Sequence, residues 1–226
     1  MNILAIETSS QACSAALLYH GQLLQRYQLA PRGHGDLLLD MVDEIMNEAD
    51  LSPPQLDAVA FGRGPGAFTG VRIATSVAQG IAFGADLPVA PISTLAALAQ
   101  AGHRQHAYQD MLCAIDARMG EVYWAAYQMK QGVVSLSGEE LVCQPLEVSL
   151  PCDGDWQALG NGWEVHAEDL LNRVPVKVDL KNVAMLPMAE DVAQLAQQAV
   201  SVGETVAAEQ ALPVYLRDKV AEKRRQ

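Results

Sequence analysis

The chain has 226 residues, with 15 Lys and Arg against 27 Asp and Glu, for a net charge of −12. Binding nucleic acid means neutralising phosphates with cations, so this balance excludes a polyanion binder acting alone. Half of the residues are hydrophobic, enough for a sizeable core, yet no apolar run reaches the roughly 18 residues of a membrane span. Cys13, Cys113, Cys143 and Cys152 have no Cys-x-x-Cys spacing. They are expected as buried thiols of a reduced, cytoplasmic protein. Met1 leads straight into Ile3-Leu4-Ala5-Ile6 without a basic n-region, so no signal peptide is expected. The length allows one large domain or two lobes of about a hundred residues each.

Taken in order, Ile3 to Ile6 reads as a buried strand ending in Glu7-Thr8-Ser9-Ser10. Ala12 to Tyr19 makes a second strand, His20-Gly21 a turn, and Gln22 to Leu29 a third strand pairing back. A loop at 31–35 precedes a helix over 36–49, and Ser52-Pro53-Pro54 breaks the chain. A short apolar run, Ala58 to Phe61, follows as a central strand. Leu87 to Pro91 is a further strand, after which Ser93 caps an Ala/Leu helix ending at Gly102.

Between these last strands lies the densest signal. Gly62, Gly64, Pro65, Gly66 and Gly70 form a Gly/Pro cluster, and a helical pattern starts near Phe68 with Thr69 as the candidate N-cap. A strand, a glycine-rich turn and a helix N-terminus make an anion site, because unpaired N–H groups and the helix dipole point at the turn. The spacing is neither a Walker A loop, since Val71 and Arg72 follow Gly70, nor a dinucleotide fingerprint. The residues of a phosphate or nucleotide site in this turn are Arg63, Gly64, Gly66, Thr69, Gly70 and Arg72. The alternative is a tight strand-to-helix connection whose glycines serve packing alone.

Near residue 110 the opening pattern returns. Leu4-Ala5-Ile6-Glu7 is echoed by Cys113-Ala114-Ile115-Asp116, Cys13 to Leu18 by Val122 to Tyr127, and His20 to Leu24 by Lys130 to Val134. A spacing of about 109 residues implies a duplicated lobe rather than a solenoid. The hinge candidate is 103–109. The second copy is weaker: Trp156 to Leu159 is its central strand, and only Gly160-Asn161-Gly162-Trp163 stands for the long glycine loop. A helix at 164–172, a strand at 176–178 and a helix at 188–202 complete it. Val214 to Arg217 leads into a C-terminal strap, and the basic run from Lys219 to Arg225 is a solvated tail. The domains expected are a first lobe, 1–102, joined by the strap 213–226, and a reduced second lobe, 103–212.

Two βββαβα lobes, each with a carboxylate after its first strand, describe the actin-like ATPase architecture, an α/β fold. That resemblance implies that Glu7, with Thr8 and Ser9, holds a magnesium-bound phosphate, as the strand-end carboxylate does in actin-like kinases, with Asp116 as its counterpart. Ile-Leu-Ala-Ile-Glu-Thr-Ser at 3–9, Gly-Arg-Gly-Pro-Gly-Ala-Phe-Thr-Gly-Val-Arg at 62–72, Ile-Asp-Ala-Arg-Met-Gly-Glu-Val-Tyr at 115–123 and Pro-Val-Tyr-Leu-Arg at 213–217 together resemble the TsaB (YeaZ) family. The resemblance implies a non-catalytic subunit. Its partners would be TsaD, bound as a heterodimer, and TsaE through that complex. The complex transfers threonylcarbamoyl from its adenylate to the adenosine beside the anticodon of tRNAs reading codons that begin with A. The resemblance further implies a homodimer when the chain is alone, and tRNA contact only through the complex. It implies no cofactor of the chain's own, with ATP or ADP at the partner interface. The catalytic relatives hold a metal through two histidines on the last helix of the first lobe, whereas Ser93 to Ala101 has none. His103 and His106 lie just beyond without a neighbouring carboxylate, so no metal site is expected. A stand-alone actin-like phosphotransferase acting on a small molecule is the alternative function.

The helix at 36–49 carries an apolar arc about 160° wide, whereas covering one core takes little more than about 100°. Leu38 and Ile45, in mid-arc, belong to the core. The surplus must meet a partner, through Leu39 and Met46 at one edge or Leu37 and Met41 at the other. On the central helix Ala74, Ala78 and Ile81 form one stripe and Ile73 and Val77 another. These nine residues are the expected partner face, for a related lobe in a homodimer or in the transferase complex.

Overall fold

A computed structural model of the chain describes residues 1–30, 33–174, 176 and 178–217. Strands β1 (Ile3–Glu7), β2 (Ala12–Tyr19) and β3 (Gln22–Leu29) form an antiparallel meander, followed by helix α1 (His34–Glu48). Strand β4 (Ala58–Gly62), helix α2 (Phe68–Ala85) and strand β5 (Val89–Ile92) complete a sheet of order β3-β2-β1-β4-β5. β4 runs parallel to β1, with Ile6 opposite Phe61, and β5 runs parallel to β4. Helix α3 (Thr94–His106) leads to the second sheet, built from β6 (Asp110–Arg118), β7 (Glu121–Lys130), β8 (Val133–Leu136), β9 (Leu141–Cys143) and β10 (Gln157–Leu159). Its order is β10-β6-β7-β8, with β9 also on β7. Helices α4 (Gly162–Val165), α5 (Ala167–Arg173), α6 (Leu180–Val183) and α7 (Ala189–Ser201) follow. The hairpins turn through His20-Gly21, Met119-Gly120 and Gln131-Gly132, both residues left-handed in each, which matches the twist of the flanking strands.

Period-two alternation sends neighbouring residues of one strand into different cores. Ile3 and Ala5 of β1 face a core shared with α3 and α7, whereas Leu4 and Ile6 face α1 and α2. In β6, Met111 and Cys113 join that shared core, and Leu112 and Ala114 turn to a third around Trp124 and Trp163. The result is a layered α/β fold. α3 and α7 lie between the two sheets, α1 and α2 cover the outside of the first, and the short helices cover the second.

This layering redraws the expected lobes. A boundary after residue 102 cuts through α3, and α7, expected in the second lobe, packs on β1, β2, β4 and β5 of the first sheet. The return continues as Val206 bridges Val89, while Ala208 and Ala211 enter the outer core of the first lobe. Burying apolar faces of both sheets on the same helices explains why the chain crosses back.

Local differences have local causes. Gly102 does not end α3, because its missing side chain makes room for Leu159, 2.5 Å from where a Cβ would stand. Ser93 caps this helix as expected, its hydroxyl accepting from the amides of Leu95 and Ala96. The residue preceding α2 is Ala67 rather than Thr69, and Thr69 sits within the first turn. β5 begins two residues late because Leu87 still donates to the Ala82 carbonyl at the end of α2. The helix expected over 164–172 breaks at His166. Val176 and Val178 are not in a strand and pack against the third core. Cys13 and Cys113 are buried, but Cys152 is exposed. Residues 218–226 of the expected strap and its basic run lie outside the described residues.

Candidate functional site

The four sequence motifs are linked in series: 3–9 to 62–72, 62–72 to 213–217, and 213–217 to 115–123. β1 ends in Glu7, fully buried along with Thr8, and Ser9 is almost so. The glycine-rich loop lies directly on them. A Cβ at Gly62 would stand 1.8 Å from a Glu7 carboxylate oxygen, one at Gly66 2.7 Å from Ser9, and one at Gly70 2.0 Å from the Thr8 carbonyl. The contacts are tied by hydrogen bonds: the Thr8 hydroxyl donates to the Gly70 carbonyl at 2.7 Å and the Ala67 amide to the Ser9 carbonyl at 2.8 Å. The Glu7 carboxylate accepts from the Ser9 amide and from the Thr94 hydroxyl on α3. Burial pushes its pKa above the usual carboxylate range. The loop glycines thus pack closely on the end of β1.

The two arginines make their contacts elsewhere. Arg63, half-buried, reaches Glu140 in the β8–β9 connection at 3.6 Å. Glu140 also accepts from the buried Tyr127 hydroxyl, which touches Ser93 at 3.5 Å. Burial, then the Glu140 charge, holds the Tyr127 phenol well above its ordinary range. The Arg63 Nε is buried and has no hydrogen-bond partner among the described residues. Arg72, on the exposed side of α2, donates to the Tyr215 hydroxyl at 2.9 Å and lies 3.7 Å above the Phe68 ring. Thr69 is exposed beside it. Gly64 is left-handed (φ 95°), and a Cβ there would stand 3.1 Å from the Val214 carbonyl.

Sequence reasoning names Tyr215 and Asp116 but not their partners, and misses Thr94, Tyr127 and Glu140, which lie far from the motifs along the chain. Asp116 accepts the Arg118 amide at 3.0 Å and meets His166 at 3.2 Å. His34 is buried against the carbonyls of Ala30 and Thr8. His103 and His106 lie on the last turn of α3, not beyond it. His103 faces the Tyr108 carbonyl at 2.9 Å, and His106 stacks on the Tyr108 ring. Among the described residues no three His, Cys, Asp or Glu side chains gather as metal ligands would.

The expected partner face is only partly at the surface. Met41, Met46, Ala74 and Ala78 are buried in the outer core with Leu38 and Ile45. The apolar arc of α1 is wide because α1 packs on both β2 and α2, so its methionines fill core rather than edge. Leu37, Ile73, Val77 and Ile81 are half-buried, and Leu39 is 52% and Phe83 79% exposed. A shallow pocket of about 440 Å³ opens at this face beside Phe68, Arg72, Ile73 and Val77. Among the described residues no helix is long and apolar enough to cross a membrane.

With this geometry in hand, comparison with known proteins is direct. A family profile described as "TsaD: tRNA N6-adenosine threonylcarbamoyltransferase" matches residues 28–224. The chain is 42% identical over 228 residues to the tRNA threonylcarbamoyladenosine biosynthesis protein TsaB of Escherichia coli (strain K12), covering 99% of this chain and 98% of that protein. Its identity to the protein of the same name from Haemophilus influenzae is 40% over 235 residues, covering 99% and 97%. The solved structure described as YeaZ from Pseudomonas aeruginosa superposes with a TM-score of 0.88 at 47% identity, over 95% of this chain and 99% of that one. The chain therefore belongs to the TsaB (YeaZ) family and, by the profile it matches, to the wider threonylcarbamoyltransferase group.

Proposed function

We propose that this chain is a non-catalytic subunit in the biosynthesis of tRNA threonylcarbamoyladenosine, acting in the cytoplasm. It binds the transferase subunit TsaD through the outer face of α1 and α2, engages TsaE through that complex, and pairs with a second copy when alone. It meets tRNA only in the complex. It holds no cofactor of its own, and ATP or ADP binds at the partner junction.

The observation that carries this reading is on α2. Gly80 and Gly84 are exposed, and a Cβ at either would meet nothing within 4 Å. The chain's own packing does not need them. A glycine inside a helix costs about 1 kcal/mol relative to alanine, a cost that close approach of another body offsets. Half-buried Ile73, Val77 and Ile81 run along the same helix. The burial of Glu7 beneath the glycine loop supports the non-catalytic part, because a phosphate and its metal need an accessible carboxylate.

The test is reconstitution of threonylcarbamoyl transfer from purified components, with and without this chain. Modification is expected to require the chain and to survive Glu7→Gln. ATP turnover by the chain alone, abolished by the same substitution, would point instead to a stand-alone phosphotransferase.

A further inference from the structure

Two of the four motifs, 115–123 and 213–217, are left without a role by docking on α1 and α2 alone. The structure joins them. Arg217 donates to the carbonyls of Ala117 at 3.0 Å and Arg118 at 3.4 Å, pairs with Glu121, and passes 3.7 Å from the Met119 sulfur. It thus grips the tip of the β6–β7 hairpin. Two and three residues earlier, the strap is bound to the glycine-rich loop and α2. The Val214 amide donates to the Arg63 carbonyl at 2.8 Å, and Tyr215 accepts from Arg72 and packs against Phe68, ring centroids 5.9 Å apart. Among the described residues no hydrogen bond joins the hairpin tip to the glycine-rich loop directly. Alongside the Arg63–Glu140 pair, these five residues link the hairpin tip of the second sheet to the helix whose outer face is exposed.

We propose that residues 213–217 are a clasp that couples the second lobe to the docking face: Arg217, held on the hairpin, sets Tyr215, and Tyr215 sets Phe68 and Arg72 at the head of α2. Arg217 and Tyr215 are positioning residues. The coupling to partner binding rests on the docking reading above, whereas the clasp itself does not. Arg217 holds its end through charge-assisted bonds to two carbonyls and a carboxylate, which are stronger than neutral ones. Tyr215 and Phe68 remain 46% and 57% exposed, so their side chains are held chiefly by each other and by Arg72.

Hydrogen exchange of the full chain, read by mass spectrometry, tests this without a partner. Loss of a charge-assisted bond raises the local opening population by about tenfold. Arg217→Ala is expected to raise exchange by that factor in 116–123 and also in 66–72, with β1 and β4 unchanged. Glu121→Gln should raise both segments less. Faster exchange confined to 116–123 overturns the clasp, leaving only a hairpin anchor. If Arg217→Ala also loosens β1 and β4, Glu121→Gln decides by the same criterion. A second arm measures affinity for purified TsaD, with Ile73→Glu as the control. A drop of about threefold or more for Arg217→Ala supports coupling, and unchanged affinity while Ile73→Glu weakens binding refutes it. If Ile73→Glu leaves affinity unchanged, the docking reading fails, and the exchange result still judges the clasp.

Discussion

The carbonyl oxygen of Thr8 lies 2.0 Å from where a Cβ on Gly70 would stand. No side chain fits there without moving the end of β1 or the first turn of α2. Gly70→Ala should therefore cost about 2–3 kcal/mol, lowering Tm by roughly 5–10 °C for a chain of this size. Gly66→Val should act in the same direction, since Ser9 stands 2.7 Å away. Differential scanning calorimetry checks both. An unchanged Tm for either would mean that the loop does not pack on β1 as described.

Gly80 should behave in the opposite way. With nothing within 4 Å of its missing side chain, Gly80→Ala should stabilise the isolated chain by about 0.5–1 kcal/mol through helix propensity. On the proposed docking, the same substitution should weaken TsaD binding, because the added methyl would intrude on the helix contact. Denaturant melts and a binding titration on one preparation separate the two effects. Weaker binding with a lower midpoint would mean only that the helix was damaged.

The link between α3 and α7 makes a pH-dependent prediction. Arg104 grips the fully buried Asp191 through two bonds, 2.8 and 3.1 Å, and pairs with Glu190 at 2.9 Å. Burial outweighs these attractions and pushes the Asp191 carboxyl up to about 6. A carboxyl with a higher pKa folded than unfolded binds more protons in the folded state between the two values. Its contribution to stability thus falls as pH rises from about 4 to about 6. Arg104→Met leaves the carboxylate unpaired, which should cost about 3–5 kcal/mol at pH 8 and much less at pH 5, where Asp191 holds its proton. Urea melts at the two pH values test this, and an equal loss at both contradicts it.

How far the sequence could be read depended on how local the determinants were. The strand meanders, the duplication and the Ser93 cap are written in short periodic patterns, and they appear where the sequence places them. Helix α7 was misassigned because its apolar face states only that it needs a core, not which sheet supplies one. The methionines of α1 failed for the same reason: a wide arc fits a partner and equally fits a helix wedged between β2 and α2. In the site, the glycines marked a close approach but not its object, which is the end of β1. Glu140 and Tyr127 carry no local signal, and only the packing of the second sheet against α3 brings them to Ser93 and Arg63.

The central claim is that the chain works by docking through the outer face of α2, and titration against TsaD tests it most directly. Leu38→Glu, at a fully buried position, serves as the reference for lost folding and should abolish the cooperative melt. Ile73→Glu, half-buried beside the pocket at the head of α2, should keep the cooperative melt that Leu38→Glu loses, because its side chain lies at the margin of the outer core. Its affinity for TsaD should nevertheless fall by about tenfold or more, the loss expected when a charge is buried in an apolar contact. A folded Ile73→Glu chain that binds TsaD as tightly as the parent would contradict the account.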